Sequence, residues 1–185
     1  YIIPAAFDPR VGPAVAKAVA EAAVRINRYP DREFRELRGA LAAYLEREAQ
    51  VTGLDADHLW AANGSNEIML HLLQAFGGPG RTALSFAPTY SMYPEYARDT
   101  HTRWVAGRRE EDFTLDVDAA IALIREEQPA VVFLPSPNNP TGTALPISAV
   151  EQILAAARTS GPDGAATVVV VDEAYAEFRR EGTPS

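Results

Sequence analysis

Residues 168–175 read VVVVDEAY. Four consecutive valines are typical of a strand that is buried on both faces of a parallel sheet. The strand is followed at once by Asp172, Glu173 and Tyr175, polar groups that a protein core does not accept without partners. Because ligands of open α/β sheets bind beyond the carboxyl ends of the strands, the stretch predicts a functional site at the end of a central strand.

The rest of the chain alternates strand and helix patterns, which predicts an α/β fold with a largely parallel sheet. The predicted strands are HLWAA (58–62), RTALSFA (81–87), HTRWVAG (101–107), AVVFLP (130–135) and TVVVV (167–171). Helices are predicted over residues 12–25, 33–49, 65–76, 117–128 and 146–158, with a short one inside 88–99. Asp116 or Asp118 is expected to cap the helix at 117–128. Leu37 belongs to one apolar stripe of the helix at 33–49, and Phe76 is expected to face inward on the helix at 65–76.

Composition limits the classes of function. With 185 residues, 47% of them apolar, the chain corresponds to one domain or to part of a larger one. The net charge of −8 argues against nucleic acid as a partner. The absence of cysteine, of a long apolar run and of a signal-like N-terminus predicts a cytoplasmic protein without a membrane span. The three histidines have no metal-binding spacing, so no metal site is predicted.

A strand ending in Asp-Glu also occurs in nucleotide-hydrolysing proteins, where the two acids hold magnesium and a water. That interpretation needs a glycine-rich loop with a lysine that reaches the phosphates. Lys17 is the only lysine of the chain, and it lies inside the first predicted helix with no such loop before it. The magnesium interpretation therefore fails.

The other predicted strand ends also carry polar or aromatic groups. In NGSNE (63–67), Ser65 and Asn66 begin a helix, so they either form an anion site or simply cap the helix. Tyr90 offers a flat face to an aromatic ligand, or else belongs to the core. SPNNPTG (136–142) holds more turn-forming residues than a plain turn requires, which favours a rigid functional loop. The charged run at 108–112 is predicted to be a solvated loop.

Taken in order, NRYPD (27–31), WAANGSNE (60–67), PTYSMYP (88–94), SPNNPTG and VVVDEAYAEF (169–178) resemble the class I/II, fold-type I pyridoxal-phosphate-dependent aminotransferases. NRYPD together with NGSNE points to the histidinol-phosphate branch of that family. The resemblance implies a three-layer sandwich around a mostly parallel sheet, incomplete in this chain. It implies an N-terminal arm and lead-in helices over residues 1–49, and the first part of the large cofactor-binding domain over residues 50–185.

The resemblance also implies a role for each matching residue, with pyridoxal 5'-phosphate as the cofactor. Ser65 and Asn66 would bind its phosphate, and Tyr90 would stack on its ring. Asn139 and Tyr175 would donate to the phenolic oxygen O3′, and Asp172 would pair with the ring nitrogen, whose pKa a nearby carboxylate raises. Asp172 and Tyr175 are the catalytic candidates. Tyr29 would reach the phosphate of the neighbouring subunit, which implies a homodimer.

The activity implied by the resemblance is amino transfer in histidine biosynthesis. Glutamate would be the amino donor and imidazole-acetol phosphate the keto acceptor, giving 2-oxoglutarate and histidinol phosphate. The usual Asn-Glu-Asn-Pro segment before the first helix is replaced by FDPRVGP (7–13). An aminotransferase of the phenylalanine type therefore stays open as the alternative.

The family's Schiff-base lysine lies beyond Asp172, and no lysine follows that residue in this sequence. We therefore expect the sequence to be the N-terminal half of such an enzyme, inactive on its own. A protein that kept the fold without the chemistry is a second alternative, of a different class.

Overall fold

The computed structural model describes residues 11–24, 26–27, 29, 31–48 and 51–178. The chain divides into two compact units, Tyr1–Gly64 and Ser65–Ser185. The boundary predicted from the sequence, between residues 49 and 50, concerns the domains of the whole fold and stays a prediction. In the described part of the chain, no helix is long and apolar enough to cross a membrane.

The first unit contains two helices, α1 (Val11–Ala23) and α2 (Arg35–Glu48), followed by a 3-10 turn at Ala56–His58. Arg38 of α2 ties the turn to the helix, because its Nε donates to the Ala56 carbonyl at 2.7 Å. Both helices were predicted within two residues at each described end. Leu37, which lies on the apolar stripe predicted for this helix, is 47% exposed, whereas Ala42 is buried.

HLWAA is not a strand. The 3-10 turn occupies its first residue, and residues 59–62 have no regular structure. The physical reason is local: the Asp55 side chain accepts from the Asp57 N–H at 2.9 Å, and its neighbour His58 completes a capping box. Side-chain caps of this kind compete with extended structure.

The second unit is an α/β layer structure. Its described helices are α3 (Gly64–Phe76), α4 (Tyr93–Asp99), α5 (Val117–Glu127) and α6 (Ile147–Ala157). The first residue of α3, Gly64, is also the last residue of the first unit. Its strands are β1 (Thr82–Ala87), β2 (Arg103–Arg108), β3 (Val131–Pro135) and β4 (Val168–Asp172). All were predicted from the sequence, and Asp116 caps α5 by accepting from the Ala119 N–H at 3.0 Å.

The described strands form one parallel sheet in the order β2-β1-β3-β4. The strand of four valines, predicted to be central and buried on both faces, is therefore at the edge of the described sheet and only half-buried. Alternate residues of β3 point to opposite faces, as the pleat requires. Val131 and Phe133 pack with α3 and α4, whereas Val132 and Leu134 pack with α5 and α6. The helices therefore cover both faces of the sheet, and the predicted α/β sandwich with a parallel sheet is confirmed.

Two residues of this unit lie elsewhere than predicted. Phe76, expected to face inward, is 41% exposed at the end of α3, whereas Met69 and Leu73 are buried. Arg109, expected in a solvated loop, is 9% exposed. Its guanidinium donates to the carbonyls of Phe86 and Phe113, each at 3.2 Å, and these acceptors make its burial possible.

Gly107 in β2 is expected not to tolerate a side chain. A Cβ at this position would lie 2.5 Å from Cδ1 of Phe86 and 2.9 Å from Cδ2 of Leu123. Gly107→Ala should therefore lower the free energy of unfolding by about 1–3 kcal/mol, the usual cost of overpacking a core. Urea denaturation measures this change. Ala106→Val, at the exposed neighbouring position, is the control and should change stability by less than about 0.5 kcal/mol.

Candidate active site

The candidate site lies where the order of the strands reverses. The chain leaves β1 toward β2 on one side and later returns to place β3 on the other side of β1. The loops after β1 and β3 consequently separate, and such switch points are where open α/β sheets bind ligands. Asn138 joins the two loops, since its Nδ2 donates to the Pro88 carbonyl at 3.0 Å and to Thr141 Oγ1 at 2.7 Å.

Asp172 ends β4 next to these loops. Its backbone carbonyl accepts from the Ser136 N–H at 2.9 Å, which continues the β3–β4 pairing into the first loop residue. One carboxylate oxygen, Oδ2, accepts from the Tyr93 hydroxyl at 2.6 Å, and the other, Oδ1, accepts from the Ala174 N–H at 3.1 Å. No arginine, lysine or histidine among the described residues pairs with this carboxylate. The half-buried Asp172 carboxylate thus has two hydrogen-bond donors, and it can pair with a cationic group of a ligand.

Tyr93 is the functional candidate that the sequence analysis missed. It is fully buried at the start of α4, and its ring stacks on Phe133 with centroids 4.6 Å apart and planes 8° from parallel. Burial, together with the Asp172 charge, raises the pKa of the Tyr93 phenol well above its ordinary value. The phenol therefore stays protonated and is the donor to Asp172. Only the spacing of PTYSMYP hinted at it, because Tyr93 follows Tyr90 in the same strand-end segment.

Asn139 and Tyr175 meet across the loop that follows β3. Nδ2 of Asn139 donates to the Tyr175 hydroxyl oxygen at 3.3 Å. This bond uses one amide hydrogen, so the second amide hydrogen and the phenolic hydrogen remain for an acceptor outside the described residues. Both residues line a cleft of about 690 Å³ that is otherwise formed by residues 137–144 and Phe178. The two predicted oxygen donors thus lie together at an open cleft.

Ser65 and Asn66 lie in the first turn of α3, as predicted. Oδ1 of Asn66 accepts from the Tyr90 hydroxyl at 3.2 Å, which connects the helix start to the loop after β1. Tyr90 in turn meets the Tyr93 ring edge to face, with centroids 5.4 Å apart. The structure therefore brings Asn66, Tyr90, Tyr93 and Asp172 into one chain of contacts.

Tyr29 belongs to the first unit, and its side chain is fully exposed. Its predicted contact lies across a dimer and stays a prediction. Among the described residues, no group of three or more histidine, cysteine, aspartate or glutamate side chains could hold a metal ion.

Comparison with known proteins identifies the family. The family described as "Aminotransferase class I and II" matches residues 6–184. The chain belongs to this aminotransferase family. The resemblance inferred from the sequence motifs is thus confirmed at the level of the family. The histidinol-phosphate branch that NRYPD and NGSNE indicated stays a prediction, and the similar curated proteins carry that name.

One such protein is the histidinol-phosphate aminotransferase of Bifidobacterium longum, 58% identical over 98% of this chain and 48% of its own length. The chain spans about half the length of the curated relatives it matches. Two solved structures share the aminotransferase fold. Aspartate aminotransferase from Thermus thermophilus with maleate has a TM-score of 0.78 and 25% identity over 92% of this chain and 44% of its own. Histidinol-phosphate aminotransferase from Sinorhizobium meliloti in complex with pyridoxal-5'-phosphate has a TM-score of 0.72 and 24% identity, over 91% and 42%.

Proposed function

We propose that this aminotransferase chain supplies the residues that hold pyridoxal 5'-phosphate by its ring nitrogen, its phenolic oxygen and its phosphate. The observation that carries the proposal is the Asp172 carboxylate, held by two donors at the end of β4 with no basic partner among the described residues. A protonated pyridine nitrogen is a cation of the size and directionality that such a carboxylate accepts. Pyridoxal phosphate, when bound, supplies an electron sink for the substrate's carbanion electrons.

The remaining side chains fit the other edges of that cofactor. Asn139 and Tyr175 each keep one hydrogen for a phenolic oxygen after bonding to each other. Ser65 and Asn66, in the first turn of α3, offer hydroxyl and amide donors together with the helix's unpaired N–H groups to a phosphate. Tyr90 offers its ring as a stacking surface. In this proposal Asp172 and Tyr175 are the catalytic residues, and the rest bind and orient.

The proposed reaction is amino transfer from glutamate to imidazole-acetol phosphate, giving 2-oxoglutarate and histidinol phosphate, as a step of histidine biosynthesis. It rests on the names of relatives such as the Bifidobacterium longum protein, which is 58% identical to this chain. Because the chain spans about half of such relatives, the proposed activity is that of a polypeptide continuing through the other half, which would supply the lysine that binds the cofactor. A homodimer to which Tyr29 contributes, the domain limits 1–49 and 50–185, and a cytoplasmic location complete the proposal.

The decisive experiment uses the full-length polypeptide loaded with pyridoxal 5'-phosphate. Glutamate and histidinol phosphate should each discharge the visible absorbance of the bound cofactor within seconds, and phenylalanine should do so far more slowly. Rapid-mixing spectrophotometry at matched substrate concentrations measures the three rates. A faster reaction with phenylalanine would indicate an aromatic aminotransferase, and no reaction with any of the three would indicate a non-catalytic protein.

A further inference from the structure

The buried side chain of Tyr93 contacts two residues of the proposed site: Asp172, assigned to the ring nitrogen, and Tyr90, assigned to the ring face. Tyr93 donates to Asp172 Oδ2 at 2.6 Å, and its ring edge meets Tyr90 with centroids 5.4 Å apart. Phe133, fully buried in β3, supports the opposite side of the same ring at 4.6 Å. With a rigid strand behind it, the hydroxyl of Tyr93 has a fixed position from which to hold the carboxylate.

The two hydrogen bonds to Asp172 restrict both its rotation and its free lone pairs. An ionised carboxylate offers about four lone-pair sites, two on each oxygen. Tyr93 occupies one site on Oδ2, and the Ala174 N–H occupies one on Oδ1. Since the two donors come from different segments of the chain, the carboxylate cannot turn without breaking one of them. The unused sites therefore face a constant direction.

We propose that Tyr93 is a positioning residue of this site, whose phenol orients the Asp172 carboxylate toward the cofactor's ring nitrogen and keeps the shared proton on that nitrogen. The inference rests on the proposed function, because it concerns the same cofactor. Tyr93 itself need not touch the cofactor: it acts through Asp172.

The direction of the proton effect follows from the donor. A hydrogen bond to the charged form of a carboxylate favours that form over the protonated acid. The bond from Tyr93 would thus favour leaving a shared proton on a ring nitrogen. Without the phenol that preference would weaken, and the Ala174 N–H would be the one remaining donor that restrains the carboxylate. An electron sink that depends on a protonated nitrogen then weakens.

Tyr93→Phe removes the hydroxyl and keeps the ring that stacks on Phe133, so it separates orientation from packing. In the full-length holoenzyme, the dissociation constant for pyridoxal 5'-phosphate should rise about tenfold, which corresponds to one charge-assisted hydrogen bond. The ¹⁵N chemical shift of the ring nitrogen in labelled cofactor should move toward that of unprotonated pyridine. Circular dichroism checks that the variant is folded.

Tyr96→Phe is the matched control. Tyr96 lies one turn further along α4 and is also buried, and its hydroxyl lies near Tyr90 but donates no hydrogen bond to Asp172. Removing that hydroxyl leaves the Tyr93–Asp172 bond in place, so the ¹⁵N shift should stay unchanged. An equal effect in both variants would mean that any lost phenol in α4 disturbs the site, and would overturn the proposal.

A double-mutant cycle tests whether Tyr93 acts through Asp172. In an Asp172→Ala background, which removes the acceptor of the Tyr93 hydroxyl, Tyr93→Phe should cause little further loss of cofactor affinity, because interacting residues are not additive. Full additivity would overturn the proposal.

Should Tyr93→Phe fail to fold, a ring-fluorinated tyrosine at position 93 keeps the shape and strengthens the donor. It should leave the ¹⁵N shift at the protonated value, and a move toward unprotonated pyridine would contradict the inference. If the wild-type holoenzyme binds cofactor and transfers amino groups while these variants behave like it, only the inference fails. If the wild type binds no cofactor, the proposed function fails and the inference with it.

Discussion

Asp172→Asn is expected to lower kcat of the full-length holoenzyme by about 10³-fold, comparable to the loss of a principal charge-stabilising group in other active sites. Asparagine has nearly the same shape as aspartate, and its one carbonyl oxygen can still accept from Tyr93, so the variant should fold although the bond from the Ala174 N–H is lost. What it lacks is the negative charge that would hold a proton on the ring nitrogen. A neutral amide does not stabilise a protonated nitrogen as a carboxylate does. Stopped-flow measurement of single half-reactions with glutamate isolates the chemical step.

Glu173→Gln is the control for Asp172→Asn. It changes the adjacent carboxylate, which is exposed and follows the end of β4, and it has no role in the proposed site. Its kcat should match that of the wild type. If Asp172→Asn retained wild-type turnover, the assignment of the ring-nitrogen partner would be wrong. If both variants lost activity equally, the loss would come from removing negative charge in this segment and not from a specific role of Asp172.

Phe133→Ala is expected to lower the free energy of unfolding by about 3–5 kcal/mol, the usual result of deleting a buried phenyl ring. Phe133 is fully buried on β3 and belongs to the core cluster that α3 and α4 form with the sheet. The cavity also removes the surface on which Tyr93 stacks. A domain's total stability is about 5–15 kcal/mol, so the variant should be close to unfolding.

Equilibrium urea denaturation followed by circular dichroism measures the effect of Phe133→Ala. Phe76→Ala is the matched control, because Phe76 is a phenylalanine of the same unit that is 41% exposed at the end of α3. Its change in stability should stay below about 1 kcal/mol, as is usual for a partly exposed position. Equal losses for the two variants would contradict the packing described for β3.

The fold was predictable to the extent that it depends on hydrophobic pattern. The apolar run of β3 is a buried strand because both faces of a parallel sheet are covered there. The valines of β4 follow the same pattern, but they are only half-buried, and Val171 is 38% exposed, because β4 lies at the edge of the described sheet. The strand prediction for HLWAA was wrong because its apolar residues fit the hydrophobic pattern of a strand. The interaction that decides its conformation is the side-chain cap from Asp55, which lies outside the segment. Arg109 failed for a similar reason: its two acceptors are carbonyls of Phe86 and Phe113, one of them 23 residues away in the chain.

The candidate site divides in the same way. Asn139, Asp172 and Tyr175 could be named from the sequence because each lies at or beside a strand end, where the chain offers few structural reasons for such residues. Tyr93 could not, because an aromatic residue at the start of a helix is commonly part of the core, and it is indeed buried. Its importance comes from one oxygen atom at 2.6 Å from a carboxylate 79 residues later. No local pattern encodes a contact at that separation.

That separation has a consequence for the order in which a nascent chain can mature. β1, β2 and β3 are translated before β4, so the helix that carries Tyr93 can dock on its strands while Asp172 is still inside the ribosome. At that stage the Tyr93 hydroxyl would be enclosed without its acceptor, which disfavours a closed core. The partly synthesised sheet should therefore remain loosely packed around α4 until β4 arrives. We therefore expect the hydrogen bond between Tyr93 and Asp172 to form late in folding, after β4 has paired with β3.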